Sequence, residues 1–172
     1  MRCERVLGAV GEFLGDFVVI LRPVRFGPFT LDTDTGSALA LSSLRGRPVV
    51  LFFYPKDDTP GCTIESCEFR DLMPRFQGVN AEVLGISPDD VKSHVKFRKK
   101  FDLPYSLLAD VGHKVAEEYG VWQEKSMYGR KYMGNARTTF VIDKNGRIAH
   151  VFEKVKPEGH AAEVAEVVGA LR

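Results

Sequence analysis

Two cysteines five positions apart, Cys62 and Cys67, follow the run Tyr54-Pro55-Lys56-Asp57-Asp58-Thr59-Pro60-Gly61. Thr59 is a good helix N-cap residue and Pro60 a good first helical residue. Cys62 would then sit in the first turn of a helix, among unpaired backbone N–H groups and at the positive end of the helix dipole. Both favour a thiolate over a thiol, and the thiolate is the nucleophile. Cysteine is also a common small core residue, and Thr-Pro does no more than cap many helices, so this spacing alone leaves Cys62 open between chemistry and packing. Cys67 shares an apolar stripe with Ile64 and Leu72 and, taken alone, reads as packing.

The spacing of the pair has a mechanical consequence. Five residues of α-helix separate two Cα atoms by about 8–9 Å. A disulfide requires about 4.4–6.8 Å. Either the two cysteines never bond, or bonding melts the first turns of the helix.

The elements that must hold this run are legible from Pro48 onward. Val49 to Tyr54 is a β-branched and aromatic stretch suited to a strand buried on both faces. Pro55 to Gly61 is a polar turn, so the cysteines stand where a strand gives way to a helix, the edge at which open α/β sheets form their sites. Ile64, Cys67, Leu72 and Phe76 predict one helical face ending at Gly78. Ala81 to Ile86 predicts the next strand, and Pro88 opens a second helix with Val91, Val95 and Phe101 inward. A short helix is expected over Gly112 to Tyr119. Thr138 to Ile142 and Arg147 to Phe152 flank Asp143-Lys144-Asn145-Gly146, a strong hairpin signal. A last helix begins near Pro157 and buries Ala161, Val164, Val168 and Leu171. The expected fold class is α/β, a mixed sheet with helices on both faces. Residues 1–25 read as an irregular leader and 26–172 as one domain.

Composition narrows the function classes. The 172 residues carry 24 Lys and Arg against 23 Asp and Glu, and 44% are hydrophobic. That balance fits one soluble domain and argues against a nucleic-acid or polybasic membrane surface. No apolar stretch approaches the roughly 18–20 residues of a membrane span. Glu12 and Asp16 break the apolar region that a signal peptide would need after Arg2 and Arg5. Three cysteines are too few for a secreted disulfide scaffold, so the expected setting is a reducing cytoplasm.

The run from Tyr54 through Cys62-Thr63-Ile64-Glu65-Ser66-Cys67-Glu68-Phe69-Arg70-Asp71 closely resembles the peroxiredoxins, in particular the Q-type or bacterioferritin-comigratory branch. The family motif Pro-x-x-x-Thr-x-x-Cys is matched by Pro55, Thr59 and Cys62. The likeness continues through Gly85-Ile86-Ser87-Pro88-Asp89-Asp90, Ser93-His94-x-Lys96-Phe97 and Leu103-Pro104-Tyr105. It then includes Trp122-Gln123-Glu124-Lys125, Tyr128-Gly129 and Arg137 to Asp143, covering about Pro28 to the C-terminus. Phe26-Gly27-Pro28-Phe29 departs from the Ala-Pro-x-Phe-like turn at which such relatives begin.

The resemblance implies a thioredoxin-like fold and a thiol peroxidase with no metal or organic cofactor, acting on hydrogen peroxide and organic hydroperoxides. It implies that Cys62 is the peroxidatic nucleophile, oxidised to a sulfenic acid, and Cys67 the resolving cysteine of an intrachain disulfide. Thioredoxin or a similar dithiol protein would restore both thiols. Arg137 would stabilise the thiolate and hold the peroxide, although a surface Arg opening a strand is the plainer account of that residue alone. Thr59 could donate to the peroxide, cap the helix, or both, and Pro55 would shape the pocket. Lys56, Asp57 and Asp58 read as a solvated loop, and Glu65 as a charge at the helix start. Cys3 is expected to be a free terminal thiol and the protein a monomer.

Two other function classes compete. A dithiol oxidoreductase needs two residues between its cysteines, where this chain has four, and a proline ahead of the hairpin; none occurs between Pro104 and Pro157. A zinc-binding module built from the cysteines with His94, His113, His150 or His160 lacks any paired metal-ligand spacing.

Overall fold

The structure, a computed structural model, describes residues 28–127 and 129–171. The expected leader, Cys3 and Tyr128 lie outside them.

Strand β3, Val49–Phe53, is buried at every position, as its apolar run requires. It pairs in parallel with β4, Glu82–Ser87, which pairs in parallel with β5, Ser106–Ala109. On its other side β3 pairs antiparallel with β8, Thr138–Ile142, and β8 with β9, Ile148–Phe152. Strands β1, Thr30–Thr33, and β2, Ala38–Ala40, form a hairpin that closes the β5 edge. The seven strands run in the order β2-β1-β5-β4-β3-β8-β9. A separate two-stranded ribbon joins β6, Trp122–Met127, to β7, Arg130–Asn135.

The period of two along β3 divides the core between the two faces of the sheet. Val50, Phe52 and Tyr54 enter one apolar cluster. It is covered by α1 (Pro60–Asp71), α2 (Met73–Gly78), α3 (Val91–Phe101) and α5 (His160–Ala170). Val49, Leu51 and Phe53 enter the other, with Val115 and Ala116 of α4, Lys114–Glu118. Gly85 of β4 makes the first cluster possible, because a Cβ there would stand 2.8 Å from both Phe52 Cζ and Leu107 Cδ2. The expected mixed sheet with helices on both faces is therefore present. The hairpin signal at Asp143 to Gly146 is also fulfilled, with Asp143 Oδ1 accepting from the amides of Asn145 and Arg147 at 2.9 and 2.8 Å.

Three expectations are corrected. The helix after the cysteine run does not continue to Gly78 but breaks at Leu72 (φ −95°, ψ 3°). Pro74 has no N–H to donate, and its ring would meet the carbonyl of the preceding turn, so a new helix begins. The inward face of α1 is Cys62, Glu65, Ser66 and Phe69, while Ile64 is 38% exposed. Phe69 selects that face by stacking on Phe52 at 4.6 Å between ring centres. In α3 the buried residues are His94 and Phe97, and Val95 is exposed. His94 is drawn inward by an acidic partner described below. Strands β5, β6 and β7 carry no signal in the sequence that the reading above used.

Candidate active site

Residues 54–62 leave the C-terminal end of β3 and turn into α1. Thr59 has the extended backbone of an N-cap (φ −93°, ψ 152°), but its hydroxyl donates to Lys56 O at 3.1 Å rather than capping an amide. The loop is thus closed on itself at Thr59. Pro60 opens the helix, and Cys62 stands third in it, 1% exposed. Thr63 N donates to Thr59 O at 2.8 Å, which closes the first turn around Cys62.

Arg137 comes from the opposite direction. Thr138 opens β8 opposite Phe53, so the residue before it lies level with Tyr54, at the mouth of the loop. Its Nη2 donates to Cys62 Sγ at 3.5 Å and its Nη1 to Glu65 Oε2 at 2.5 Å. Gly61 leaves room for this approach: a Cβ there would lie 3.1 Å from Nη2 and 3.3 Å from Pro157 Cγ. One guanidinium therefore serves two side chains on consecutive turns of α1. Burial opposes its charge, but Glu65 and Cys62 together hold it protonated.

Glu65 is no helix-start charge. It is completely buried, and burial pushes its carboxyl up to about 7 although Arg137 pulls the other way. Its Oε1 has no hydrogen-bond partner among the described residues. The field of Arg137 reaches further. His160, whose Nε2 lies 2.8 Å from Thr139 Oγ1, is lowered to about 4 by burial and then by Arg137. Half-buried Lys125 is lowered by burial and by Arg137, with Cys62 opposing. Lys125 Nζ donates to Asn135 O, and Asn135 Nδ2 donates to Tyr54 O at 3.2 Å. The β6–β7 ribbon is thereby pinned to the base of the loop.

The loop acids divide. Asp58 is exposed and pairs with Lys100 at 2.7 Å, and Lys56 is exposed, as a solvated loop would have them. Asp57 is buried, against expectation. Its Oδ1 accepts from Tyr54 Oη at 2.7 Å, and its Oδ2 from Ser93 Oγ at 2.7 Å and meets His94 Nδ1 at 2.9 Å. Its amide donates to Asp89 Oδ2 at 2.8 Å, which also accepts from Ser87 Oγ. The reason is topological: β4, α3 and the turn between them carry Ser87, Asp89, Ser93 and His94 to the underside of the loop. A histidine on the apolar side of a helix was the available signal for this partner, since a buried imidazole needs one.

Pro55 is half-buried at the start of the loop. Cys67 lies on α1 with Cys62, partly exposed, and both are free thiols. The structure thus brings Arg137 into contact with Cys62, with Thr59 closing the turn before Cys62 and Pro55 at the start of the same loop, and leaves Cys67 more than a helical turn from Cys62. The histidines are not gathered at the cysteines: His94 meets Asp57, His160 meets Thr139, and His113 stacks on Trp122 at 3.8 Å. Among the described residues no helix is long and apolar enough to cross a membrane.

Comparison with known proteins places this architecture. Residues 25–151 match the AhpC/TSA family. The chain is 46% identical over 138 residues to peroxiredoxin Bcp of Bacillus subtilis, covering 80% of this chain and 88% of that protein. It is 44% identical over 144 residues to the chloroplastic peroxiredoxin Q of Oryza sativa subsp. japonica, covering 83% of this chain and 64% of the relative. The bacterioferritin comigratory protein of Xanthomonas campestris superposes with a TM-score of 0.79 at 36% identity, over 83% of this chain and 90% of that one. These likenesses make the fold thioredoxin-like, and the chain belongs to the AhpC/TSA family as a peroxiredoxin, a thiol peroxidase of the Bcp and Q kind.

Proposed function

We propose that Cys62 is the peroxidatic nucleophile and Cys67 the resolving cysteine of a peroxidase acting on hydrogen peroxide and organic hydroperoxides. The observation that carries this reading is the 3.5 Å contact between Arg137 Nη2 and the buried Cys62 Sγ, in the first turn of a helix. A fixed cation and a helix N-terminus both favour the thiolate, and a guanidinium offers further N–H donors to a peroxide oxygen.

The thiolate attacks the terminal oxygen of the peroxide. The S–O bond forms as the O–O bond breaks, and the departing oxygen takes a proton and leaves as water or an alcohol. Cys62 becomes a sulfenic acid. Thr59 exchanges its bond to Lys56 O for the peroxide, and Pro55 walls the mouth. The first turns of α1 then unwind, because the wound helix holds the two Cα atoms at about 8–9 Å. The Cys67 thiol attacks the oxidised sulfur, the S–S bond forms, the S–O bond breaks, and the oxygen leaves as water. A dithiol protein of the thioredoxin kind returns both thiols by exchange. A reducing cytoplasm, which keeps such a pair ready as thiols, is the setting this cycle suits. We place the enzyme there as a monomer, with 26–172 as its domain.

The test is a free-thiol count before and after one equivalent of hydrogen peroxide, with peptide mapping of the product. Rapid loss of two thiols and a Cys62–Cys67 link is expected. If neither thiol reacts faster than free cysteine, the assignment fails.

A further inference from the structure

Between the two cysteines lies Ser66, whose carbonyl is held from outside its own helix. Tyr105 Oη donates to Ser66 O at 2.7 Å. Both residues are buried, Tyr105 at 3% and Ser66 at 0% exposure. Tyr105 does not move freely: its ring packs edge-on against Phe52 at 5.7 Å, and the next residue, Ser106, opens β5 opposite Leu84 of β4. The bond therefore ties the middle of α1 to the central sheet. A second tie lies one turn on, where Arg70 Nη1 donates to Phe101 O at 2.9 Å. Burial holds the Tyr105 hydroxyl protonated, so it remains a donor.

In the resolving step, Ser66 lies inside the segment that must lose its helical path for Cys67 to approach Cys62. Unwinding that carries the Ser66 carbonyl off its helical path breaks its 2.7 Å bond to a hydroxyl anchored on the sheet. We propose that Tyr105 is a positioning residue for the resolving step: its hydroxyl latches the Ser66 carbonyl, and release of that latch sets how often Cys67 reaches oxidised Cys62. This rests on the disulfide reading above. The latch has two consequences of opposite value. While it holds, Cys62 stays in the reactive geometry beside Arg137. It also prolongs the life of the sulfenic acid, and so the chance that its sulfur attacks a second peroxide, taking one oxygen to become a sulfinate while water or an alcohol departs.

Tyr105→Phe removes one hydroxyl and keeps the ring. A buried neutral hydrogen bond contributes about 1 kcal/mol net, which corresponds to about fivefold in an opening equilibrium. The variant should therefore form the Cys62–Cys67 disulfide about fivefold faster after rapid oxidation, followed by stopped-flow and quenched peptide mapping. The rate of the first oxidation should be unchanged, and sulfinate at high peroxide should fall by a similar factor. Amide exchange of residues 63–70 in the reduced protein should quicken while β3 and β4 stay protected, which also verifies the fold of the variant. If the wild-type chain forms the disulfide and the variant resolves at the same rate, the latch is overturned and the disulfide reading stands. A variant that slows oxidation and resolution alike makes Tyr105 a merely structural residue and overturns the latch as well. If Cys67 stays free in the oxidised wild type, the disulfide reading fails first, and the latch with it.

Discussion

Glu65 Oε2 and Arg137 Nη1 are 2.5 Å apart, with the carboxylate wholly buried and the guanidinium side chain 16% exposed. The pair decides where Arg137 points. A guanidinium is a planar fork, so anchoring Nη1 on Glu65 aims Nη2 at the turn before it, where Cys62 lies. Holding an ionised carboxylate in that position is unfavourable, and its second oxygen has no partner among the described residues. The chain thus keeps a strained charge pair beside the thiol rather than an apolar contact.

Glu65 consequently predicts a pH dependence of stability. Its native carboxyl is raised to about 7 from 4.5, chiefly by burial. Between those two values the native state holds a proton that the unfolded chain has released. Stability should therefore fall as pH rises from about 4.5 to about 7, and be flat with respect to this group above that. Urea denaturation across the window should show the slope in the wild type and lose it in Glu65→Gln. An equal slope in both proteins would assign it to other groups.

Arg137→Ala should slow the oxidation of Cys62 by about 100-fold, the usual loss when one preorganised donor to a reacting centre is removed. Stopped-flow oxidation of the variant beside the wild type reads the loss at the contact between Nη2 and Sγ. An unchanged rate would remove Arg137 from this step.

Gly61 offers a gentler test of the same geometry. In Gly61→Ala the new methyl would press on Arg137 Nη2, built at 3.1 Å from it. The same methyl meets Pro157 Cγ at 3.3 Å, and the helix preference of alanine, at most about 1 kcal/mol, offsets that crowding, so the melting temperature should change little. The oxidation rate should nevertheless drop by about tenfold, because the guanidinium is displaced from Sγ. An unchanged rate would mean that Arg137 adapts without loss.

The sequence announces the parts of the site that are local and conceals those that are not. Thr59, Pro60 and Cys62 declare a capped helix at the end of a strand, and the apolar run Val49 to Phe53 declares that strand buried. Asp57 does not declare itself, because its burial depends on His94 and Ser93, 37 and 36 positions away, being delivered beneath it by the β4–α3 crossover. Glu65 is hidden in the same way, since its partner Arg137 is 72 positions on. The inward face of α1 is ambiguous by pattern: Ile64 and Cys67 compete with Cys62 and Phe69 for the apolar stripe. Only the stacking of Phe69 on Phe52 settles it.

Asp57→Asn should cost about 2–4 kcal/mol, since it leaves Tyr54, Ser93 and His94 with a poorer acceptor in a buried place. The loss should not add to that of His94→Asn, because the two side chains share one bond. A double-mutant cycle by urea denaturation measures this coupling. Additive losses would mean that the two residues act on the loop separately.

Cys67→Ser separates the two halves of the proposed cycle. The variant keeps Cys62, Arg137 and the first turn of α1, so one round of peroxide should still oxidise Cys62 at close to the wild-type rate. With no thiol five positions on, the sulfenic acid has no partner in its helix, and it should persist or advance to a sulfinate. Turnover with a thioredoxin-type reductant should then disappear, because that reductant acts by exchange on a disulfide. Unchanged turnover in the variant would move the resolving role to Cys3 or to an external thiol, and with it the need for α1 to unwind.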